Sequence, residues 1–247
     1  MISTAALRTL ATKLQTTELN VRREYFQHLF LSYFYQQPLT DQIYFKGGTA
    51  LRMLYGSPRF SEDLDFSSSV SDIRALEDAI LGNLADIARE NIVVDITESQ
   101  TTSGGYLAII TFRGDHPPVS VQIEISLRGG EKQGEAATII SDLVPAYAII
   151  ALSREQFVDE KIQALLFRKK ARDFYDLYFI LRANLLPTHR LAVSEANLRG
   201  ILPPVVETLR QSRIDFEQEL KEFLPRSHWA VMRSFPASLE REIERFL

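Results

Sequence analysis

The sequence predicts an α+β fold, a mixed sheet with flanking helices followed by a C-terminal helical half. Three observations predict it: helical spacing of apolar residues as far as Gln37, β-branched alternation over much of Ile92 to Leu127, and the loss of strand signals beyond Pro145. At 247 residues, 45% of them hydrophobic, the chain can bury a sizeable core as one large domain or two modest ones. A soft boundary near Pro145 gives an α/β domain over residues 1–145 and a helical domain over 146–247.

Each element has its own reason. Between Thr4 and about Gln37, Leu19, Val21, Tyr25, Phe26, Leu29 and Phe30 recur at intervals that put them on helical faces. Gln42 to Phe45 reads as a short strand. Thr49 to Tyr55 reads as a helix, because Ala50, Leu51, Met53 and Leu54 follow a glycine pair and Gly56-Ser57-Pro58 stops it. Asp63 to Ser67 is a strand, and Ser71 to Glu90 returns to helical spacing through Ile73, Leu76, Ile80, Leu84 and Ile87. Ile92 to Thr97, Tyr106 to Phe112 and Val119 to Leu127 alternate as strands do. The breaks Ser103-Gly104-Gly105 and Asp115-His116-Pro117-Pro118 suit hairpin turns. In the helical half, Ser153 with Gln156 has the form of a capping box ahead of a stripe of Phe157, Val158, Ile162, Leu165 and Leu166.

Composition excludes several classes. No run of ~18 apolar residues is present, and Met1 to Leu10 lacks the basic start and apolar core of a secretory signal, so a soluble, cytoplasmic protein with no membrane contact is expected. Without cysteine there are no disulfides, no Cys-bound zinc and no thiol nucleophile. A net charge of −4 argues against a uniformly basic coat for nucleic acid, so any RNA contact must come from a local patch. Arg168, Lys169, Lys170 and Arg172 form the best such cluster, which also fits a solvated helix end. His28, His116, His189 and His228 are scattered without metal-ligand spacing, and Trp229 reads as a core or helix contact.

Chemistry concentrates between Phe45 and Phe66. The Gly47-Gly48 pair, lying between a strand and a helix, allows bare N–H groups and the positive helix end to approach an anion, with the Thr49 hydroxyl beside them. In isolation such a pair is an ordinary tight turn. In Asp63-Leu64-Asp65-Phe66 a period of two puts both carboxylates on one face and Leu64 and Phe66 on the other. Like charges held that close repel unless a cation lies between them, and carboxylate oxygens suit Mg²⁺ or Mn²⁺. A solvated strand face is the plain reading of an isolated pair, but the turn and the pair together are more specific than either. For a third acid, Glu124 is the candidate metal ligand, because the aliphatic residues of Val121-Gln122-Ile123-Glu124-Ile125-Ser126 take the opposite face; Asp95 is its rival, and an ordinary exposed strand acid is the plain reading of either. In the helical half, Lys161 and Arg168 project along one side of a helix where they can meet a triphosphate or an RNA backbone. Asp173 and Asp176 on the next helix are placed to orient Lys161 or Arg172, or to hold a ligand hydroxyl.

Lys46-Gly47-Gly48-Thr49-Ala50-Leu51, Arg59-Phe60-Ser61-Glu62-Asp63-Leu64-Asp65-Phe66 and Glu160-Lys161-Ile162-Gln163-Ala164-Leu165 through Arg172-Asp173-Phe174-Tyr175-Asp176-Leu177-Tyr178 resemble, in order and spacing, the motifs of the AbiEii/AbiGii toxin family of nucleotidyltransferases. That family includes the MenT toxins and belongs to the DNA polymerase β-like superfamily. The resemblance implies a polymerase-β-like mixed sheet, with the helical domain completing the active-site cleft. It implies a triphosphate held by Gly47, Gly48 and Thr49, with Lys46, Arg59, Ser61 and Arg168 as further nucleotide-binding candidates, and metal on Asp63 and Asp65. Lys161 and either Asp173 or Asp176 are implied as essential for activity. The implied reaction is Mg²⁺-dependent transfer of a nucleotide from an NTP to an acceptor hydroxyl, at the 3′ end of tRNA, by a toxin of a toxin–antitoxin or phage-defence system neutralised by a cognate antitoxin. Transfer to a protein hydroxyl, and a module that binds nucleotide or partner without turnover, are the alternatives.

Overall fold

Ser3 and Thr17 each accept the backbone N–H three residues on, from Ala6 and Asn20, and so start α1 (Thr4–Lys13) and α2 (Glu18–Phe34). The computed structural model describes residues 2–114, 116–186 and 195–247. Gln15, at φ 54°, divides the long helical pattern into these two helices. The second helix is buried nearly all round, which its apolar content requires. Phe26 stacks on Phe112 with ring centroids 4.6 Å apart, and Phe34 meets Phe66 at 5.3 Å.

Among the described residues one mixed sheet has seven strands: β1 (Ile43–Lys46), β2 (Leu64–Ser68), β3 (Val93–Thr102), β4 (Gly105–Arg113), β5 (Val119–Ser126), β6 (Gly134–Ile139) and β7 (Tyr147–Leu152). Their order across the sheet is β3-β4-β5-β2-β1-β7-β6. β1 runs antiparallel to β2 and parallel to β7, and β2 runs parallel to β5; the remaining pairs are antiparallel. The two short central strands are almost wholly apolar toward the core, with Ile43, Phe45, Leu64 and Phe66 at most 1% exposed. Between them lies α3 (Gly47–Tyr55), and α4 (Ile73–Ala88) begins at Asp72, whose side chain accepts the Arg74 N–H. The β3–β4 hairpin turns at Ser103 and Gly104; of the second expected turn, Asp115 lies outside the described residues.

β7 corrects the expectation that strands end before Pro145, and β6 lies where the sequence reading placed no strand. Tyr147 to Leu152 is a short apolar run whose periodicity does not separate strand from buried helix. It is a strand because β1 and β6 pair with it. The chain accordingly divides into two compact units at Met1–Leu152 and Ser153–Leu247, seven residues beyond the boundary read from the sequence.

The second unit is helical: α5 (Arg154–Arg168), α6 (Ala171–Arg182), α7 (Glu195–Gln211), α8 (Phe216–Leu220), α9 (Trp229–Met232) and α10 (Phe235–Glu244). Its core gathers Phe174, Tyr175, Leu209, Phe216, Phe235 and Leu239. Trp229 packs against this core and donates its ring N–H to the carbonyls of Lys221 and Leu224, as its reading as a helix contact requires. Ser153 caps α5 by position only: its hydroxyl forms no cap hydrogen bond and is buried without a partner, so the expected capping box is absent. Among the described residues no helix is long and apolar enough to cross a membrane.

Candidate active site

The strand-turn-helix of β1 and α3 places the glycine pair against the acid-bearing segment. Gly47, at φ 85°, is in the left-handed region, and a methyl group built on it would collide with the carboxylate of Asp65. A methyl on Gly48 would lie 2.6 Å from Ser61 Oγ and 2.7 Å from Arg59 Nη2. Lys46, the residue before the helix, provides no side-chain cap for its first N–H groups and lies opposite Asp65 in the antiparallel register of β1 and β2. Gly47, Gly48, Lys46, Arg59, Ser61 and Asp65 are therefore brought together. Thr49 differs in its role: its hydroxyl is not turned toward solvent but, in a side chain 1% exposed overall, donates to the Asp63 carbonyl at 2.5 Å and ties the turn to the acids.

The alternation through the acid pair is as expected, with Asp63 and Asp65 half-buried and Leu64 and Phe66 fully buried. Asp63 precedes β2, and Asp65 lies within it. In the parallel pairing of β2 with β5, Asp65 stands beside Glu124, which is exposed. Asp95 is on the outer strand β3, with β4 and β5 between it and β2, and its carboxylate is held by Arg113 at 2.7 Å. Sheet order thus separates the two rivals. Among the described residues no three His, Asp or Glu side chains form a ready metal cage, so Asp63, Asp65 and Glu124 are not a closed set. Two carboxylates on hard oxygen donors nonetheless fit Mg²⁺, which commonly takes one or two protein carboxylates and fills its shell with phosphate oxygens and water.

Sequence reasoning missed how the segment from Ser57 to Asp63 is held. Arg52 on α3 donates to the carbonyls of Ser57 at 3.2 Å and Pro58 at 3.0 Å, lies 3.5 Å above the Phe60 ring, and pairs with Glu24 of α2 at 2.9 Å. Gln27 donates to the Ser61 carbonyl at 3.0 Å, and Arg23 pairs with Glu62 at 3.0 Å. Three side chains of one face of α2 therefore hold the segment that carries Arg59, Ser61 and Asp63. The available signal was the cluster of polar residues Arg23, Glu24, Gln27 and His28 between the apolar positions of this helix. Burial pushes the Glu24 carboxyl up, with Arg52 pulling it down less strongly. His28, whose Nδ1 is 2.8 Å from the Tyr147 hydroxyl, is lowered to about 4 by burial and by the Arg52 charge.

In the second unit Lys161 donates to Asp176 at 2.7 Å, both side chains being largely buried. Asp173 does something else. It accepts from Arg168 at 2.8 Å and from the Lys170 backbone N–H at 3.2 Å, closing the N-terminus of α6. The two acids left open by sequence are thus separated by their partners. Of the histidines, His28, His116 and His228 join no metal group among the described residues, and His189 lies outside them.

Comparison with known proteins bears on the fold and the family. A crystal structure of a putative nucleotidyltransferase from Helicobacter pylori is similar with a TM-score of 0.61 and 18% identity, over 93% of this chain and 95% of that one. The crystal structure of JHP933, also from Helicobacter pylori, is similar with a TM-score of 0.53 and 21% identity, over 93% and 97%. At those identities the likeness is one of fold. No curated protein matches the sequence at a significant level. A family model described as nucleotidyl transferase AbiEii toxin, type IV TA system, matches residues 29–245. That span includes the glycine turn, the acid pair and the Lys161–Asp176 pair, and the chain belongs to the AbiEii family of nucleotidyltransferase toxins.

Proposed function

We propose that this nucleotidyltransferase transfers the nucleoside monophosphate of an NTP onto the 3′-terminal hydroxyl of tRNA, with Mg²⁺ or Mn²⁺ held by Asp63 and Asp65 and pyrophosphate as the second product. The observation that carries the reading is the packing of Gly47 directly onto the Asp65 carboxylate, which supports an anion cradle beside a cation site. The chemistry a divalent cation supplies when bound there is neutralisation of the triphosphate and acidification of the attacking hydroxyl.

The remaining work falls to the chain. The N–H groups of Gly48 and Thr49, at the start of α3, bind phosphate oxygens with the helix dipole behind them. Arg59 and Ser61, beside Gly48, and Lys46 fix the triphosphate so that the α-phosphorus is presented in one orientation. Glu124, next to Asp65 in the sheet, serves as the third acid toward the acceptor hydroxyl. Lys161, oriented by Asp176, contributes positive charge to the nucleotide, and Arg168 assists it. A cognate antitoxin is the protein partner that the family implies.

The test is incubation with each α-labelled NTP and total RNA, wild type beside Asp65→Ala. Label on tRNA in the wild type alone supports the proposal. Label only on polypeptide rejects RNA as acceptor, and NTP binding without pyrophosphate release rejects turnover.

A further inference from the structure

The connection between α5 and α6 is anchored at both ends and bare in the middle. Leu165 and Ala171 are 2% and 1% exposed, whereas Phe167 is 90% exposed and Arg168, Lys169, Lys170 and Arg172 are all exposed. Four cations fall within five positions of a chain whose net charge is −4. The acid nearest in sequence, Asp173, is 4% exposed and pairs with Arg168 and with the Lys170 backbone N–H, so of the four cations it offsets Arg168 and not the Lys170 side chain. The tip is also well defined. Lys169, at φ 53°, ends α5 by donating its N–H to the Leu165 carbonyl at 3.1 Å, and the Asp173 contacts start α6.

A basic tip by itself is an ordinary solvated helix end. What changes the reading is a phenylalanine more exposed than any other large apolar residue described, held among the cations. A rigid aromatic face with flanking Lys and Arg is the combination that binds single strands, where an unstacked base lies on the ring and neighbouring phosphates meet the charges. Along a duplex no such base is offered, since its bases are already paired and stacked on one another.

We propose that the tip from Phe167 to Arg172 is a docking site for a single-stranded RNA segment, Phe167 stacking on one base while Lys169, Lys170 and Arg172 hold the phosphates to either side. The inference rests on RNA being the acceptor and names the part of this chain that grips it.

Binding is measured by fluorescence anisotropy over a salt series, using an unstructured oligoribonucleotide of about 12 nucleotides and, for comparison, a blunt RNA duplex. The protein is the full chain carrying Asp65→Ala, so that no transfer occurs. Phe167→Ala is expected to weaken single-strand binding about tenfold at unchanged salt slope, Phe167→Trp to retain it, and duplex binding to be unaffected by either. Lys169→Gln with Lys170→Gln is expected to flatten the salt slope by about 1.4. Unchanged melting temperatures in all variants exclude misfolding. Single-strand affinity indifferent to Phe167→Ala overturns the proposal, as does loss of antitoxin binding in that variant with RNA binding intact. If wild type labels no RNA while Phe167→Ala still loses oligonucleotide affinity, the acceptor assignment fails and the docking site stands.

Discussion

Gly47 and Gly56 both have φ in the left-handed region, yet only one has a neighbour that forbids a side chain. Gly56 ends α3, and a methyl group added there would meet nothing within 4 Å, so Gly56→Ala is expected to cost about 1 kcal/mol of stability, read by urea unfolding, and to leave transfer intact. Gly47→Ala must displace the Asp65 carboxylate as well. It is expected to lower nucleotidyl transfer by about a hundredfold or more, the scale on which small misplacements of reacting groups act. A Gly47→Ala protein with full activity would separate the turn from the acids. At His28 the sign of the pH effect follows from its lowered affinity for protons. The unfolded chain takes up a proton as pH falls through 6.5, and the folded chain does so only at about 4. Stability is therefore lost between those values, by up to about 3 kcal/mol from this group. Glu24, with its raised carboxyl, acts in the opposite sense, while Tyr147, pushed up by burial, keeps its proton across that window. His28→Gln is expected to make the loss from pH 7 to pH 4.5 smaller in urea titrations, and an unchanged slope would remove His28 from the account.

At the scale of elements, α2 serves as the frame for the acid segment. Arg52→Met leaves Glu24 buried without its cation and the carbonyls of Ser57 and Pro58 without their donor. Removing one partner of a buried pair costs about 3–5 kcal/mol, so a large fall in melting temperature is expected, with Glu24→Gln recovering part of it in the double variant. Residual activity should show a lower kcat with a smaller change in KM, because the displaced residues are those that align the reacting groups. In α6 the two acids give opposite outcomes. Asp173→Ala removes a helix-terminal acceptor and is expected to cost about 1 kcal/mol while sparing much of the activity. Asp176→Asn keeps the shape but takes the counter-charge from a largely buried Lys161, and is expected to reduce transfer at least tenfold in the folded protein and to lower the melting temperature more than Asp173→Ala does. Parallel labelling assays and thermal melts on the two variants decide between them.

For the molecule as a whole, the governing quantity is charge. A chain of net charge −4 must bind a polyanionic nucleotide and, as proposed, a polyanionic acceptor. Chelation with EDTA is therefore expected to abolish transfer, and Mg²⁺ or Mn²⁺ to restore it, as read by label on RNA. Transfer that persists in chelator would overturn the assignment of Asp63 and Asp65 as cation ligands.

The amino-acid order by itself determined the local pieces: a glycine pair between strand and helix, acids alternating with Leu64 and Phe66, and amphipathic α5 and α6. Each rests on periods of two or 3.6 residues and on backbone freedom that neighbours in sequence control. It did not determine β6 and β7, because short or mixed runs become strands through hydrogen bonds to partners far away in sequence. Tertiary structure also decided that Glu124 rather than Asp95 stands beside Asp65, that Thr49 spends its hydroxyl on the Asp63 carbonyl, and that Asp173 closes a helix while Asp176 holds Lys161. The physical reason is common to all of these: which polar group a side chain meets depends on strand order and helix packing, and those are settled by burial of the whole apolar surface.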